Sequence, residues 1–113
     1  MRKRSIEEWI KYYQEHGGDK DLRLAPDEII QFHEEHGFIT YFINKNEDVL
    51  EIHHMCGDGK YWVKFLKNTV MSIFNLKKIR AFTHRNPKAW ARKYGNVKVI
   101  GYEVEIDRDE IRN

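Results

Sequence analysis

A single cysteine, two prolines and no apolar run near the length of a bilayer span set the first limits on this 113-residue chain. One cysteine excludes an internal disulfide framework and agrees with a reducing compartment. A membrane-crossing helix needs about 20 apolar residues in a row, and no stretch approaches that. The basic start at Arg2, Lys3 and Arg4 runs into Glu7, Glu8 and Trp9 rather than into an apolar segment. No export signal is read there, so a cytoplasmic location is expected. The length suits one hydrophobic core and therefore a single domain over 1–113.

Acid is also missing where it is most informative. The net charge is only +2, yet from Gly59 to Lys98 the chain has no Asp or Glu at all. The same stretch holds Lys60, Lys64, Lys67, Lys77, Lys78, Arg80, Arg85, Lys88, Arg92, Lys93 and Lys98. Such a split predicts a basic flank on the folded domain, of the kind that meets phosphate. The plain alternative is a solvated face balanced by acidic neighbours.

The remaining pattern is that of a mixed α/β domain. Ser5 as N-cap, with Glu7 and Glu8 in the first turn and Ile6, Trp9, Ile10 and Tyr13 at helical spacing, predicts a helix over 5–16. Pro26 and Gly37 are placed as the start and stop of a second helix over 26–36 with Ile29, Ile30 and Phe32 or His33 inward. The two segments echo each other at a spacing of twenty, from Glu8 and Glu28 to Gly17 and Gly37. Strands are expected at 38–43 and 49–56 around the turn 44–48. A long helix follows at 60–74, its inward face Trp62, Phe65, Leu66, Thr69, Val70, Ile73 and Phe74. A strand at 76–83, a short helix from Asn86-Pro87 to Gly95, and a last strand at 97–106, kinked at Gly101, complete the order α-α-β-β-α-β-α-β. The 49–56 and 77–83 strands should be parallel neighbours across a right-handed crossover, diverging at their C-terminal ends.

Gly57-Asp58-Gly59 lies where a strand turns into a helix. Free N–H groups and the positive end of a helix dipole at such a turn suit a pyrophosphate, and Lys60 adds a cation. Glu51 and His53 fall on one strand face by alternation and are the available bases, or else a solvated strand face. Tyr94 is the available acid, or core with Trp90. Cys56 has no evident catalytic partner and reads as a small buried residue. His33 and His36 are three apart rather than the four of a zinc-protease helix, and His53 and His54 could complete a site with them only if the fold happened to bring them together, so no metal is expected.

From Val49 to Ile106 the chain resembles the GNAT acetyltransferase superfamily. The segment Asn86-Pro87-Lys88-Ala89-Trp90-Ala91-Arg92-Lys93-Tyr94-Gly95 is similar to that family's Asn-x-x-Ala-x-x-aromatic-Tyr-x-Lys-x-Gly-Phe, matching at Asn86, Ala89, Lys93 and Gly95. The strand Lys98-Val99-Ile100-Gly101-Tyr102 follows as it does in the family. The family's phosphate loop, Gln/Arg-x-x-Gly-x-Gly/Ala, answers to Cys56-Gly57-Asp58-Gly59-Lys60-Tyr61 without the leading residue, and Ala91 stands where the family has its general-acid tyrosine. The first strand and one middle strand of the standard fold have no counterpart in the reading above.

The resemblance implies a compact mixed sheet flanked by helices and acyl-CoA-dependent N-acetyl transfer, or a CoA-binding relative with reduced activity. Met55, Cys56, Gly57, Gly59, Lys60, Tyr61, Asn86 and Lys88 would lie against CoA, with Glu51, His53 and Tyr94 as acid–base candidates and an amine of unspecified structure as acceptor. The compact size is also that of small phage-encoded GNAT-like proteins. The competing expectation is a non-enzymatic module that uses the 59–98 flank, with its aromatics Tyr61, Trp62, Phe82, Trp90 and Tyr94, to hold nucleic acid or an acidic protein.

Overall fold

The computed structural model describes residues 3–18, 20, 22–82, 98–100 and 103–111. A six-stranded mixed sheet forms its centre, in the order β1-β2-β3-β4-β6-β5. Helix α1 (Ile6–Glu15) begins as its sequence signals require: Ser5 and Glu8 close a reciprocal capping box that satisfies two N–H groups. Its Trp9 is buried with Phe38 and Cys56 against one face of the sheet, joined by the partly buried Ile10, Tyr13 and Ile30.

The stretch 26–36 is a strand and a turn, not a second helix. Strand β1 (Ile29–His33) pairs antiparallel with β2 (Gly37–Asn44), His33 opposite Gly37. Isoleucines and a phenylalanine over five residues suit either structure, and the pairing with β2 decides between them. Gly37 does take a positive φ, +96°, but as the exit of a tight hairpin rather than as a helix cap. The twenty-residue echo thus matches a helix with a strand and carries no structural repeat. Strand β1 also adds an edge strand that the sequence reading lacked.

Strand β3 (Val49–Gly57) runs antiparallel to β2, and β4 (Lys78–Phe82) lies parallel to β3, as the crossover required. The connection is a continuous helical rod: α2 (Gly59–Phe65), a π-helical turn (Leu66–Val70) and α3 (Met71–Phe74). The π turn is why the predicted inward stripe fails at its end. One extra residue in the turn rotates everything after it by about 100°, so Met71 is buried while Ile73 is 71% exposed. Trp62, Val63, Leu66, Val70 and Met71 pack with Leu50, Ile52, Ile79, Val104 and Ile106 in the main core.

The expected final strand is two, β5 (Lys98–Ile100) and β6 (Glu103–Asp107), antiparallel to each other, with β6 antiparallel to β4. β5 and β6 run in opposite directions, and Gly101, where a kink was expected, lies outside the described residues. The helix expected from Asn86 to Gly95 lies outside the described residues. No helix among the described residues is long and apolar enough to cross a membrane.

Candidate functional site

Two irregularities of β3 define the site. Its ladder to β4 covers only Val49 to Ile52, opposite Lys78 to Ala81, while β3 continues to Gly57. Among the described residues, no strand pairs with 53–57 on that side. On the other side Thr40 lies opposite His54 and Tyr41 opposite Ile52, so His53 is an extra, bulged residue. A bulge interrupts the alternation of strand faces and re-aims side chains. Here it sets His53 and His54 side by side, ring centroids 4.0 Å apart.

Each histidine is held by a different partner. His53 Nδ1 lies 2.8 Å from Glu28 Oε2, and its own side chain is 46% exposed while that of Glu28 is fully buried. Burial works against the Glu28 charge, but hydrogen bonds from the Thr40 hydroxyl, the Ala25 N–H and His53 outweigh it and hold the carboxyl below the usual glutamate range. The ionised carboxylate accepts the Nδ1–H, which leaves the lone pair of His53 on Nε2. The neighbouring His54 is buried, its Nδ1 2.7 Å from the Tyr13 hydroxyl and its backbone N–H donated to Thr40 Oγ1 at 3.0 Å.

Glu51, the other candidate base, is committed elsewhere. Arg80 Nη1 donates to it at 3.2 Å and to Glu47 at 3.0 Å, while Arg80 Nε donates to Glu105 at 3.0 Å. Its hydrogen bonds to Glu47 and Glu105 raise the Arg80 pKa further above its ordinary value. Next to this network, Asp27, Phe42 and Glu51 line an open groove of about 370 Å³. The Phe42 ring at the groove lies 5.9 Å from the His53 ring.

The end of β3 is built by close approach. Gly57 and Gly37 are paired, with φ of +100° and +96°. A Cβ on Gly57 would lie 2.2 Å from the His36 carbonyl oxygen, so glycine is required. That carbonyl accepts both the Asp58 N–H and Trp62 Nε1–H, each at 2.9 Å. Asp58 does not point away from the helix it precedes: its Oδ1 caps α2 by accepting the Tyr61 N–H at 3.2 Å. The Tyr61 ring stacks on His36 at 3.9 Å.

Of the residues proposed for CoA, Met55 is partly buried against the main core and Gly59, Lys60 and Tyr61 open α2, with Lys60 exposed. Cys56 is buried, its Sγ 3.9 Å from the Trp9 carbonyl, and burial pushes its pKa up to about 11 against the opposing charge of Arg4. That is an inert thiol. Tyr94, Asn86 and Lys88 lie outside the described residues, as does Ala91. The basic flank is partly neutralised: Lys77 approaches Asp48 and Lys78 approaches Glu105, each at 4.0 Å, and Arg80 sits among carboxylates. Trp62 is buried, which removes it as a base-stacking platform.

Glu28, Thr40 and Tyr13 were not singled out as site residues by sequence, and His54 was considered only as completing, with His53, a metal site begun by His33 and His36. Glu28 fell within the misassigned helix, and strict alternation puts His54 on the face opposite His53. The adjacent pair His53-His54 was the available signal, but only the bulge brings both to one face.

Helix, antiparallel strands, a parallel crossover whose ladder stops early, and an antiparallel final pair make up the GNAT fold. A chimera of the Vibrio cholerae spermidine N-acetyltransferase SpeG and hSSAT superposes with a TM-score of 0.57 at 11% identity, over 96% of this chain and 94% of its own. N-acetylglutamate synthase from Neisseria gonorrhoeae, solved with coenzyme A and N-acetyl-glutamate, gives 0.57 at 12% identity, over 95% of this chain but 34% of its own. A SpeG point mutant gives 0.51 at 12% identity, over 96% and 92%. At these identities the likeness is one of fold. No protein-family model and no curated protein matches the sequence.

Proposed function

We propose that this domain binds an acyl-CoA along the open edge of β3 and transfers the acyl group, slowly, to an amine that reaches His53 through the Asp27–Phe42–Glu51 groove. The observation that carries the reading is the coincidence of three features at one point of β3: the end of the parallel ladder, the bulge, and the Glu28–His53 pair. Among the described residues no strand pairs with 53–57 on the β4 side, and such an edge offers N–H and C=O groups to the amides of a pantetheine arm. Exposed Lys60 and Lys64 lie on the helix that follows and suit the phosphates. Asp58 fits less well, because its carboxylate already caps α2, and a pyrophosphate there meets a like charge.

In the transfer, His53 Nε2 takes a proton from the attacking amine as the C–N bond forms. The C–S bond of the thioester breaks, and the leaving thiolate takes its proton from water or from Tyr94. Glu28 is the positioning residue: it fixes the tautomer and stabilises the imidazolium as it forms. Without a family tyrosine at Ala91, turnover of common small amines should be slow, and Ala91→Tyr should raise it.

The test is binding. Millimolar CoA should raise the melting temperature of the wild type, and Lys60→Glu should weaken that stabilisation several-fold. Absence of any shift sinks the reading and favours a partner-binding module on the 59–98 flank.

A further inference from the structure

We propose that Glu28, His53 and His54 form a binding site for a transition-metal dication of the zinc, cobalt or nickel type. One ligand atom from each residue falls within 4.8 Å of the other two. Two imidazoles and a carboxylate are the donor set such ions prefer, and three protein ligands leave an open position for water. The half-exposed side of His53 is where that position would fall.

The supporting groups favour the same conclusion. Metal-bound histidine donates its other N–H to a neighbouring acceptor, which fixes the ring and its tautomer. The Tyr13 hydroxyl is in that place for His54, 2.7 Å from Nδ1, so that Nε2 is the ligand atom. Glu28 is ionised and steadied by the Ala25 N–H at 3.0 Å and by the Thr40 hydroxyl, neither of which carries a charge that would repel a cation. Ligands on one tetrahedral zinc stand roughly 3.3 Å apart. The widest pair of the trio must therefore close by up to about 1.5 Å, toward which rotation of the half-exposed His53 ring contributes. On binding, the ion takes the place of the Nδ1 proton between His53 and Glu28, and that proton moves to Nε2 of the same ring. The ring stays neutral, and its Nε2 no longer has a lone pair. Metal and general-base action at His53 therefore exclude each other. The site itself does not depend on the transfer reading.

The experiment is a titration of the full chain, first stripped with EDTA, with Co²⁺ followed by visible absorption and with Zn²⁺ followed by calorimetry. The expected result is one ion per chain, with the ligand-field bands of low-coordinate cobalt and a dissociation constant in the micromolar range. His53→Ala and Glu28→Gln should each weaken binding about tenfold or more. His36→Ala, which removes a histidine outside the trio, should leave it unchanged. His53→Ala keeps the fold testable, because its side chain is half exposed and its melt can be compared directly. No saturable binding below about 100 µM metal, or binding unaffected by both substitutions in the trio, overturns the proposal. Equal loss in His36→Ala overturns it too, since the ion would then be held elsewhere.

Discussion

Replacing Gly57 by alanine should cost this domain about 3–4 kcal/mol, and the figure can be built from the turn it occupies. At φ +100° any side chain is strained, by roughly 1–2 kcal/mol. The added Cβ would stand 2.2 Å from the His36 carbonyl oxygen, a backbone atom that cannot swing aside. Restoring an ordinary contact means moving the β1–β2 turn away from the end of β3 by about an ångström. The same carbonyl accepts the Asp58 N–H and Trp62 Nε1–H, so both bonds stretch, and each is worth about 1 kcal/mol. Gly17→Ala is the control. Its φ is +94°, but nothing lies within 4 Å of its Cβ position, so only the strain of about 1–2 kcal/mol applies. At about 4 °C per kcal/mol for a chain of this size, thermal melts should fall by roughly 12–16 °C for Gly57→Ala and 4–8 °C for Gly17→Ala. If the two variants melt together, the close approach between Gly57 and His36 is not what makes the glycine necessary.

Two further outcomes follow from buried groups. Glu28 has its pKa depressed in the folded state, so its contribution to stability is complete above the unfolded value near 4.5 and is lost as pH falls through the lower folded value. Urea titrations should therefore show wild-type stability dropping in that acid range, and Glu28→Gln should flatten this part of the profile while costing about 1–3 kcal/mol at neutral pH. With its thiol pushed from 9.0 to about 11, Cys56 should react with iodoacetamide at pH 8 about a hundredfold more slowly than in urea-unfolded chain, before shielding by Trp9 slows it further. Alkylation of the folded protein at the unfolded rate would contradict the burial of Cys56.

What could be read in advance was local, and what could not was set by partners distant in sequence. The Ser5–Glu8 capping box lies within one helical turn, and the β3–rod–β4 crossover follows from chain order and handedness alone. Ile29 to His33 is a different case. Its spacing suits a helix, and the strand exists because β2 lies beside it. The π turn at Leu66–Val70 and the bulge at His53 are single-residue insertions into regular structure, and each moves the side chains that follow to a new face. The site shows the same division. His53 was named by strand alternation, whereas Glu28, twenty-five residues earlier, became its partner only when β1 joined the sheet. The groups expected to assist from Asn86, Lys88 and Tyr94 lie outside the described residues.

The central claim is that His53, oriented by Glu28 beside the open edge of β3, serves acyl transfer to an amine. The measurement that bears on it most directly is thiol release from acetyl-CoA in the presence of a panel of primary amines, for the wild type and for His53→Ala. The account predicts slow, saturable, amine-dependent release by the wild type. It predicts a kcat lower by roughly a hundredfold in His53→Ala, with the KM for acetyl-CoA little changed, because the base acts on the amine and not on the cofactor. Amine-dependent release that proceeds equally well in His53→Ala would contradict it.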